Sequence, residues 1–257
     1  MPLIEYTFDG KRDKVQVAIE RLRTFEPVEG YWLAFSGGKD SVTLKALADM
    51  AGVKYTAHYN RTTVDPPELE RFIKEAHPDV EWTRPEKSMF QLILTQKYWP
   101  PMRQQRWCCE LLKEANGTGI VVTGVRWAES ARRAQRKMIE PCYRDKARTF
   151  LMPIIDWSNY DVWEFIRGYN VPYCSLYDEG FERLGCILCP MSGPVCAQRD
   201  IARWPKFANA YIRTFDKLID VRAGMGKETS FKTGQELFDW WVTRREPKNK
   251  AQMVLFE

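Results

Sequence analysis

Tyr31-Trp32-Leu33-Ala34-Phe35-Ser36-Gly37-Gly38-Lys39-Asp40-Ser41 is the stretch on which the fold turns. Its five leading apolar residues read as a buried strand. They run straight into two glycines, and a helix follows over Asp40 to Ala51, with Gly52 where a C-terminal cap belongs. A phosphate site asks for this order. Backbone N–H groups converge on an anion most easily where no Cβ crowds them. The following helix then adds its positive N-terminal end. Ser36 and Ser41 supply hydroxyl donors, Lys39 a point charge, and Asp40 a carboxylate for a helix cap or a bound Mg²⁺. The longer GxxxxGK[ST] loop of enzymes that transfer a γ-phosphoryl group is absent.

Outward from this loop, strand and helix signals alternate. Upstream, Val15, Ala18, Ile19 and Leu22 repeat at helical spacing within Lys11 to Thr24. Downstream, Val53 to Tyr59 reads as a strand, and Asp65-Pro66-Pro67-Glu68 opens a helix with Asp65 as N-cap and Pro66 at the first helical position. A short strand at Val80 to Thr83 precedes the capping box Ser88-Met89-Phe90-Gln91, which leads a helix containing Leu92, Ile93 and Tyr98. A helix around Glu110 to Glu114, strands at Ile120 to Val125 and Phe150 to Ile154, and a helix capped by Ser158-Asn159-Tyr160-Asp161 complete the pattern. Such alternation implies right-handed crossovers and an α/β fold, a doubly wound parallel sheet of about five strands. Residues 1–170 are expected to form this nucleotide-binding domain. Residues 171–257 read as an extension of loops and helices, including Phe207 to Val221 and a helix capped at Thr233-Gly234-Gln235-Glu236. It is expected to lie over the sheet's carboxyl edge, where open α/β sheets bind ligands.

Composition sets outer limits. Of 257 residues, 44% are hydrophobic and 28% charged, the balance of a soluble globular chain. No apolar run approaches the roughly 20 residues that cross a bilayer. The opening MPLIEYTFDGKRDK turns charged too early for a secretory signal, so a cytoplasmic protein without a membrane partner is expected. The net charge of +5 suits an anionic ligand but does not by itself argue for nucleic acid. Several of the ten tryptophans adjoin Arg, as in Arg106-Trp107, Arg126-Trp127 and Arg203-Trp204. A nucleic-acid surface would use such pairs, although packed tryptophan is the commoner reading.

Two further constellations carry chemistry. Gly124-Val125-Arg126 ends a strand, and Glu129-Ser130-Ala131-Arg132-Arg133 follows. The arginines could bring bidentate donors to phosphate or sulfate oxygens, or simply form a solvated basic face; spacing alone favours the face. Seven cysteines, an odd number, argue against a disulfide framework. Cys108-Cys109 and Cys186-Ile187-Leu188-Cys189 together offer four thiolates. A CxxC turns both sulfurs to one metal, and a vicinal pair at a helix start can do likewise, with the helix dipole favouring thiolate. Gly185 and Pro190 fit a tight loop around a metal. Zinc and a 4Fe–4S cluster are both allowed by this donor set, with free buried thiols a third reading.

Ser36-Gly37-Gly38-Lys39-Asp40-Ser41 after a strand resembles the PP-loop of the ATP-pyrophosphatase superfamily, whose fold is adenine nucleotide alpha hydrolase-like. Other segments resemble the phosphoadenylyl-sulfate reductase branch of it: Arg106-Trp107-Cys108-Cys109 with Leu112-Lys113, Thr123-Gly124-Val125-Arg126 with Glu129-Ser130, and Pro153-Ile154-Ile155-Asp156-Trp157 with Asp161-Val162-Trp163. The likeness spans roughly residues 25 to 195. It implies an adenine nucleotide (ATP, adenylyl sulfate or its 3′-phosphorylated form) contacted by Ser36 to Ser41, Gly124, Arg126, Ser130 and Arg132, with Lys39 and Asp40 catalytic and Mg²⁺ accompanying ATP. It favours a 4Fe–4S cluster over zinc on Cys108, Cys109, Cys186 and Cys189, with Lys113 linking cluster and pocket electrostatically. A protein that donates electrons or sulfur is the implied partner.

Two departures qualify the resemblance. Reductases of the family carry a catalytic cysteine in a Cys-Gly-Leu-His-type tail, whereas this sequence has no cysteine after Cys196 and only His58 and His77 as histidines. Cys174 or Cys196 are the available substitutes, and each is more often a packed thiol. The segment Asn60 to Leu69 looks more like the branch tied to phage genomes and DNA phosphorothioation, in which the PP-loop cleaves ATP between its α- and β-phosphates. The expected function is therefore an enzyme acting at the α-phosphate of ATP or an adenylyl sulfate in sulfur transfer or sulfur metabolism, a transferase or oxidoreductase. The alternatives are a sulfonucleotide reductase and a non-catalytic nucleotide-binding subunit of a nucleic-acid-modifying complex.

Overall fold

A computed structural model describes residues 2–8, 10–95, 99–227 and 229–243. The chain forms two compact units that interleave in sequence. The first comprises Met1–Asn60, Pro67–Thr83 and Ala115–Leu184; the second comprises Arg61–Pro66, Arg84–Glu114 and Gly185–Glu257. A single boundary at residue 170 does not describe this arrangement. Residues 84–114 group with the later part of the chain, and residues 171–184 group with the earlier part.

The first unit is the expected α/β sheet, with six strands rather than five. An antiparallel hairpin, β1 (Ile4–Thr7) and β2 (Gly10–Asp13), precedes it. The sheet strands are β3 (Tyr31–Ala34), β4 (Tyr55–Asn60), β5 (Glu81–Thr83), β6 (Gly119–Val122), β7 (Ile139–Pro141) and β8 (Arg148–Leu151). Their spatial order is β5-β4-β3-β6-β8-β7, and every neighbouring pair is parallel except β7 with β8. The chain starts at the centre, moves one way through β4 and β5, then returns to the other side of β3 with β6. The strand order thus reverses between β3 and β6, the place where open α/β sheets open a crevice at their carboxyl ends.

Helices α1 (Lys14–Thr24), α2 (Lys39–Ala51), α3 (Pro67–Ala76) and α5 (Asn159–Gly168) belong to the same unit, and α1 and α5 each pack against α2. Their ends follow capping chemistry. Asp13 accepts the Val15 N–H at 3.0 Å, so α1 begins at Lys14, and the residues expected to open it lie in β2. Gly52 closes α2 in the left-handed region at φ 68°, as its lack of a Cβ allows. Ser158 and Asp161 exchange side-chain and backbone bonds of 3.1 and 2.7 Å, the reciprocal cap read from sequence. The expected cap at Asp65 takes another form: its carboxylate accepts the Thr62 N–H at 2.8 Å, and α3 starts at Pro67. Edge strand β7 gave no periodic signal, being three residues long and ending in Pro141, which an edge tolerates.

The second unit is helical, with α4 (Met89–Thr95), α6 (Pro194–Arg203), α7 (Pro205–Gly224) and α8 (Gly234–Thr243). The Ser88/Gln91 capping box forms, with bonds of 2.8 and 3.3 Å; Tyr98, expected in that helix, lies outside the described residues. Aromatic rings fill the core between α7 and α8: Phe215 meets Trp241 edge-on with ring centroids 5.5 Å apart. The Trp241 indole N–H donates to the Pro101 carbonyl at 2.8 Å. Four tryptophans are buried (Trp99, Trp157, Trp204 and Trp241), in keeping with packed tryptophan as the commoner reading. Among the described residues no helix is long and apolar enough to cross a membrane.

Within the first unit, Asp156 joins α1 to the chain after β8. Arg21 grips it with two bonds of 2.8 and 3.0 Å, and Arg12 adds a third of 2.9 Å. Burial alone would raise this carboxyl; the hydrogen bond and charge of Arg21, with Arg12 behind, outweigh burial and hold it below its ordinary 3.8. A depressed folded value gives stability that is fully present above the unfolded value and is lost as pH falls through the folded one. Arg21→Ala is expected to cost roughly 2–3 kcal/mol at neutral pH. Urea unfolding across pH should show the gap between variant and parent shrinking only below about 4, where Asp156 takes up its proton.

Candidate functional site

The phosphate-type loop leaves β3 at its carboxyl end. Gly37 sits in the left-handed region at φ 70°, and a Cβ there would meet the Leu69 and Ile73 side chains at 2.7 and 2.8 Å. Only glycine fits both the torsion and the space. Ser41 stitches the bend: its hydroxyl donates to the Gly38 carbonyl at 2.9 Å and accepts the Ser36 N–H at 3.2 Å. The Gly38 N–H faces the Ser36 hydroxyl at 3.4 Å. Ser36 and Ser41 therefore shape the loop from within. α2 opens at this bend without a side-chain cap, so its positive end is not covered by a capping side chain of its own.

Gly124 and Arg126 reach the same place from β6, the neighbouring strand. A Cβ on Gly124 would lie 2.8 Å from the Asp40 Cβ, which fixes how closely the two strand ends approach. Arg126 is 1% exposed. Its guanidinium donates to Asp40 at 2.8 Å, to the Trp157 carbonyl at 3.1 Å and to the Asn159 side chain at 2.9 Å. The arginine read from sequence as a phosphate contact is thus a buried brace on the first turn of α2. Asp40, in turn, answers the charge of Arg126.

Lys39 is 6% exposed, with its ammonium 3.7 Å from Asp40, 3.5 Å from the Glu182 carbonyl and 5.9 Å over the Tyr177 ring. Tyr177 was not legible as a site residue. Its hydroxyl accepts the Lys39 N–H at 2.8 Å, so a phenol oxygen stands at the mouth of the anion cradle. Burial pushes this phenol well above its ordinary range, so it stays protonated and keeps a proton to donate. The turn Ser175–Tyr177 and edge-on packing against Trp163 at 4.9 Å hold the ring there. Ser130 accepts the Arg133 N–H at 3.3 Å and so caps its own turn, while Arg132 is exposed. An open recess of about 500 Å³ borders Arg167, Asn170, Tyr173, Ser175 and Asp178, none of them expected in the nucleotide site.

Cys108, Cys109, Cys186, Cys189 and Cys196 belong to the second unit, and Cys142 and Cys174 to the first. Cys108, Cys109, Cys186 and Cys189 interact electrostatically, and none of the seven cysteines is in a disulfide. The Cys108 thiol donates to Cys109, which lowers Cys109, with Lys113 and Arg106 assisting, and raises Cys108. Cys186 is pushed up to about 11 by burial, against the pull of Lys113. The charge of Cys186, then Asp65, Cys189 and Cys109, keeps the exposed Lys113 protonated. The helix expected at 110–114 is a single wide turn, Cys109–Lys113, closed by the Glu114 N–H on the Cys109 carbonyl at 2.8 Å.

Three residues without a sequence signal hold the CxxC. The Cys186 sulfur lies 3.4 Å from the Thr62 hydroxyl, and the Ile187 N–H donates to the Val64 carbonyl at 2.8 Å. Leu188 sits at φ 59°, rare for a branched side chain, and its N–H donates to buried Asp200 at 2.9 Å. Among the described residues no three His, Cys, Asp or Glu side chains are arranged to hold a single metal ion. In number and kind the four thiols match the Cys₄ donor set that zinc and iron–sulfur clusters both use.

Comparison with known proteins adds an independent line. The model of the phosphoadenosine phosphosulfate reductase domain matches residues 30–192. An uncharacterized protein of Methanocaldococcus jannaschii is 32% identical over 176 residues, 62% of this chain and 35% of that protein. The adenosine 5′-phosphosulfate reductase of Neisseria meningitidis serogroup A is 35% identical over 117 residues, 42% of this chain and 46% of the reductase. The chain therefore spans less than half the length of both relatives. Among solved structures, phosphoadenylyl-sulfate reductase from Candida auris in its phosphate complex aligns with a TM-score of 0.50 at 18% identity, over 66% of this chain and 87% of that one. That likeness is one of fold.

The brace makes a stability prediction that separates it from a ligand role. Asp40→Ala leaves a buried guanidinium without its carboxylate, which costs about 3–5 kcal/mol. Asp40→Ala combined with Arg126→Met removes the stranded charge and should recover most of that loss in urea unfolding. A single variant as stable as the parent would show that the pair does not brace the fold.

Proposed function

Because the chain belongs to the phosphoadenosine phosphosulfate reductase domain family, we propose that it binds an adenine nucleotide at the reversal between β3 and β6 and acts at the α-phosphate. One observation carries this reading: at a bend where Gly37 is left-handed, backbone N–H groups, the open end of α2 and buried Lys39 gather positive potential at the crevice. With ATP, an acceptor attacks the α-phosphorus, the bond to the bridging oxygen breaks, and pyrophosphate leaves with the electron pair. The N–H groups and Lys39 offset the charge that builds on the leaving group. Mg²⁺ carried in with ATP would neutralise part of the same charge. Tyr177, protonated beside Lys39, is placed to give a phosphate oxygen a further hydrogen bond.

For the cysteine unit we favour a 4Fe–4S cluster on Cys108, Cys109, Cys186 and Cys189. The reading is supported by four thiols whose charges act on one another and on Lys113. Such a cluster supplies one-electron chemistry or a labile sulfide; zinc would supply neither. Sulfur transfer or sulfur metabolism is the corresponding role. The identity to an adenosine 5′-phosphosulfate reductase favours a second reading, reduction of an adenylyl sulfate to sulfite. In that case the thiol comes from Cys196 or a partner protein, since Cys174 is 1% exposed and burial raises its thiol.

Titration with a non-hydrolysable ATP analogue and Mg²⁺ should show binding that Lys39→Ala weakens about 10- to 100-fold, the loss of one charged hydrogen bond to phosphate. Release of AMP and pyrophosphate from ATP selects the first reading, and sulfite from adenylyl sulfate under a dithiol reductant selects the second. Equal binding by parent and variant would end both. Anaerobic purification should yield iron and acid-labile sulfide that Cys186→Ala loses and Cys196→Ala keeps; zinc without iron overturns the cluster.

A further inference from the structure

The whole net charge of the chain, +5, resides in one segment. Residues 126–148 hold eight Arg or Lys against three acidic residues, and the rest of the chain holds 31 of each. Ordinary surfaces intersperse the two signs. Here the segment's own carboxylates are already engaged, Glu129 with Arg133, Glu140 with Arg136 and Asp145 with Arg148. Arg132, Lys137 and Lys146 are exposed, and among the described residues none of them makes a salt bridge. Arg144 is exposed beside them.

The same segment carries two exposed rings. Tyr143 is 83% exposed and Trp127 43%. Neither hangs loose: the Arg144 side chain donates to the Tyr143 hydroxyl at 2.7 Å and lies 5.3 Å from the ring centroid, and the Trp127 indole donates to the Arg136 carbonyl at 2.8 Å. Fixed outward-facing rings among exposed cations are the parts of a platform on which unpaired bases stack while phosphates meet the charges. The site lies at the open edge of the sheet, where β7 has a neighbour on one side only. It begins at Arg126, the brace of the phosphate loop.

We infer that residues 126–148 form a docking surface for single-stranded nucleic acid, with phosphates on Arg132, Lys137, Arg144 and Lys146 and a base stacked on Tyr143. This goes beyond the nucleotide reading and does not depend on it: the surface stands or falls whatever Lys39 binds. Combined with that reading, it names the class of acceptor, a nucleic-acid strand led toward the crevice within one unit.

Fluorescence anisotropy of the full chain with a labelled oligonucleotide of about 20 residues tests it, using single-stranded DNA, single-stranded RNA and duplex arms. Four phosphate contacts predict a log–log salt slope near −3, a loss of about 50-fold between roughly 50 and 200 mM salt. Lys137→Glu with Lys146→Glu should weaken binding at least about tenfold and flatten that slope. Tyr143→Ala should weaken it about 5- to 100-fold and leave the slope unchanged, since stacking carries no counterions. Both variants should bind the ATP analogue as the parent does, which also shows that they fold. DNA and RNA arms decide the sugar. Absence of salt-dependent binding, preference for the duplex, insensitivity to both variants, or binding to anionic lipid vesicles but not to oligonucleotides overturns the inference.

Discussion

A guanidinium taken out of water must have its charge answered where it lies, and Arg126 has one carboxylate to answer it. That need fixes much of the first unit. Arg126 leaves the end of β6, Asp40 opens α2, and Trp157 with Asn159 begins α5, so one side chain holds three segments in register. Gly124 must lack a Cβ because Asp40 is drawn so near. The crevice between β3 and β6 is therefore set by an ion pair below its floor, and the loop above inherits its position.

That loop is shaped from inside and open toward the crevice. Ser36 and Ser41 bond each other and the Gly38 carbonyl, so the hydroxyls expected to greet a phosphate instead hold the bend. What remains for an anion is the electrostatics of α2's amino end and a buried ammonium. Lys39 is within 3.7 Å of Asp40, yet that carboxylate makes its shorter contact, 2.8 Å, with Arg126. Two cations share one carboxylate, and the local balance is positive. A second negative group at the crevice would complete it, which is the condition for binding phosphate rather than repelling it.

Legibility from sequence followed the range of the interactions involved. The strand–glycine–helix order, the caps at Ser88, Ser158 and Thr233, and the alternation that makes an α/β sheet depend on neighbours a few residues apart, and the structure contains them. Direction was harder. Arg126 was placed at the right strand end, but whether its guanidinium faces a ligand or the interior depends on Asp40, Trp157 and Asn159, which sequence does not bring together. Tyr177 looked like one aromatic among many because its partner lies 138 positions away. The interleaved units escaped for the same reason: no composition change marks residues 61–66 or 84–114, whose companions follow residue 184.

The cysteine unit shows why those separated pieces are needed. Two thiol pairs far apart in sequence can share a neighbourhood only if loops from elsewhere fix both. Residues Thr62 and Val64 bind the first half of the CxxC, and Asp200 pins its left-handed knuckle at Leu188. Lys113 completes the argument through charge. Its ammonium draws on the negative charge around it. Asp65 provides some of it, and the larger contribution is from Cys186. A cation placed there stabilises thiolate over thiol, and thiolate is the form that ligates metal. Of the four, Cys109 is the one lowered in this way, whereas Cys108 and Cys186 are raised, so a metal would have to displace their protons as it binds.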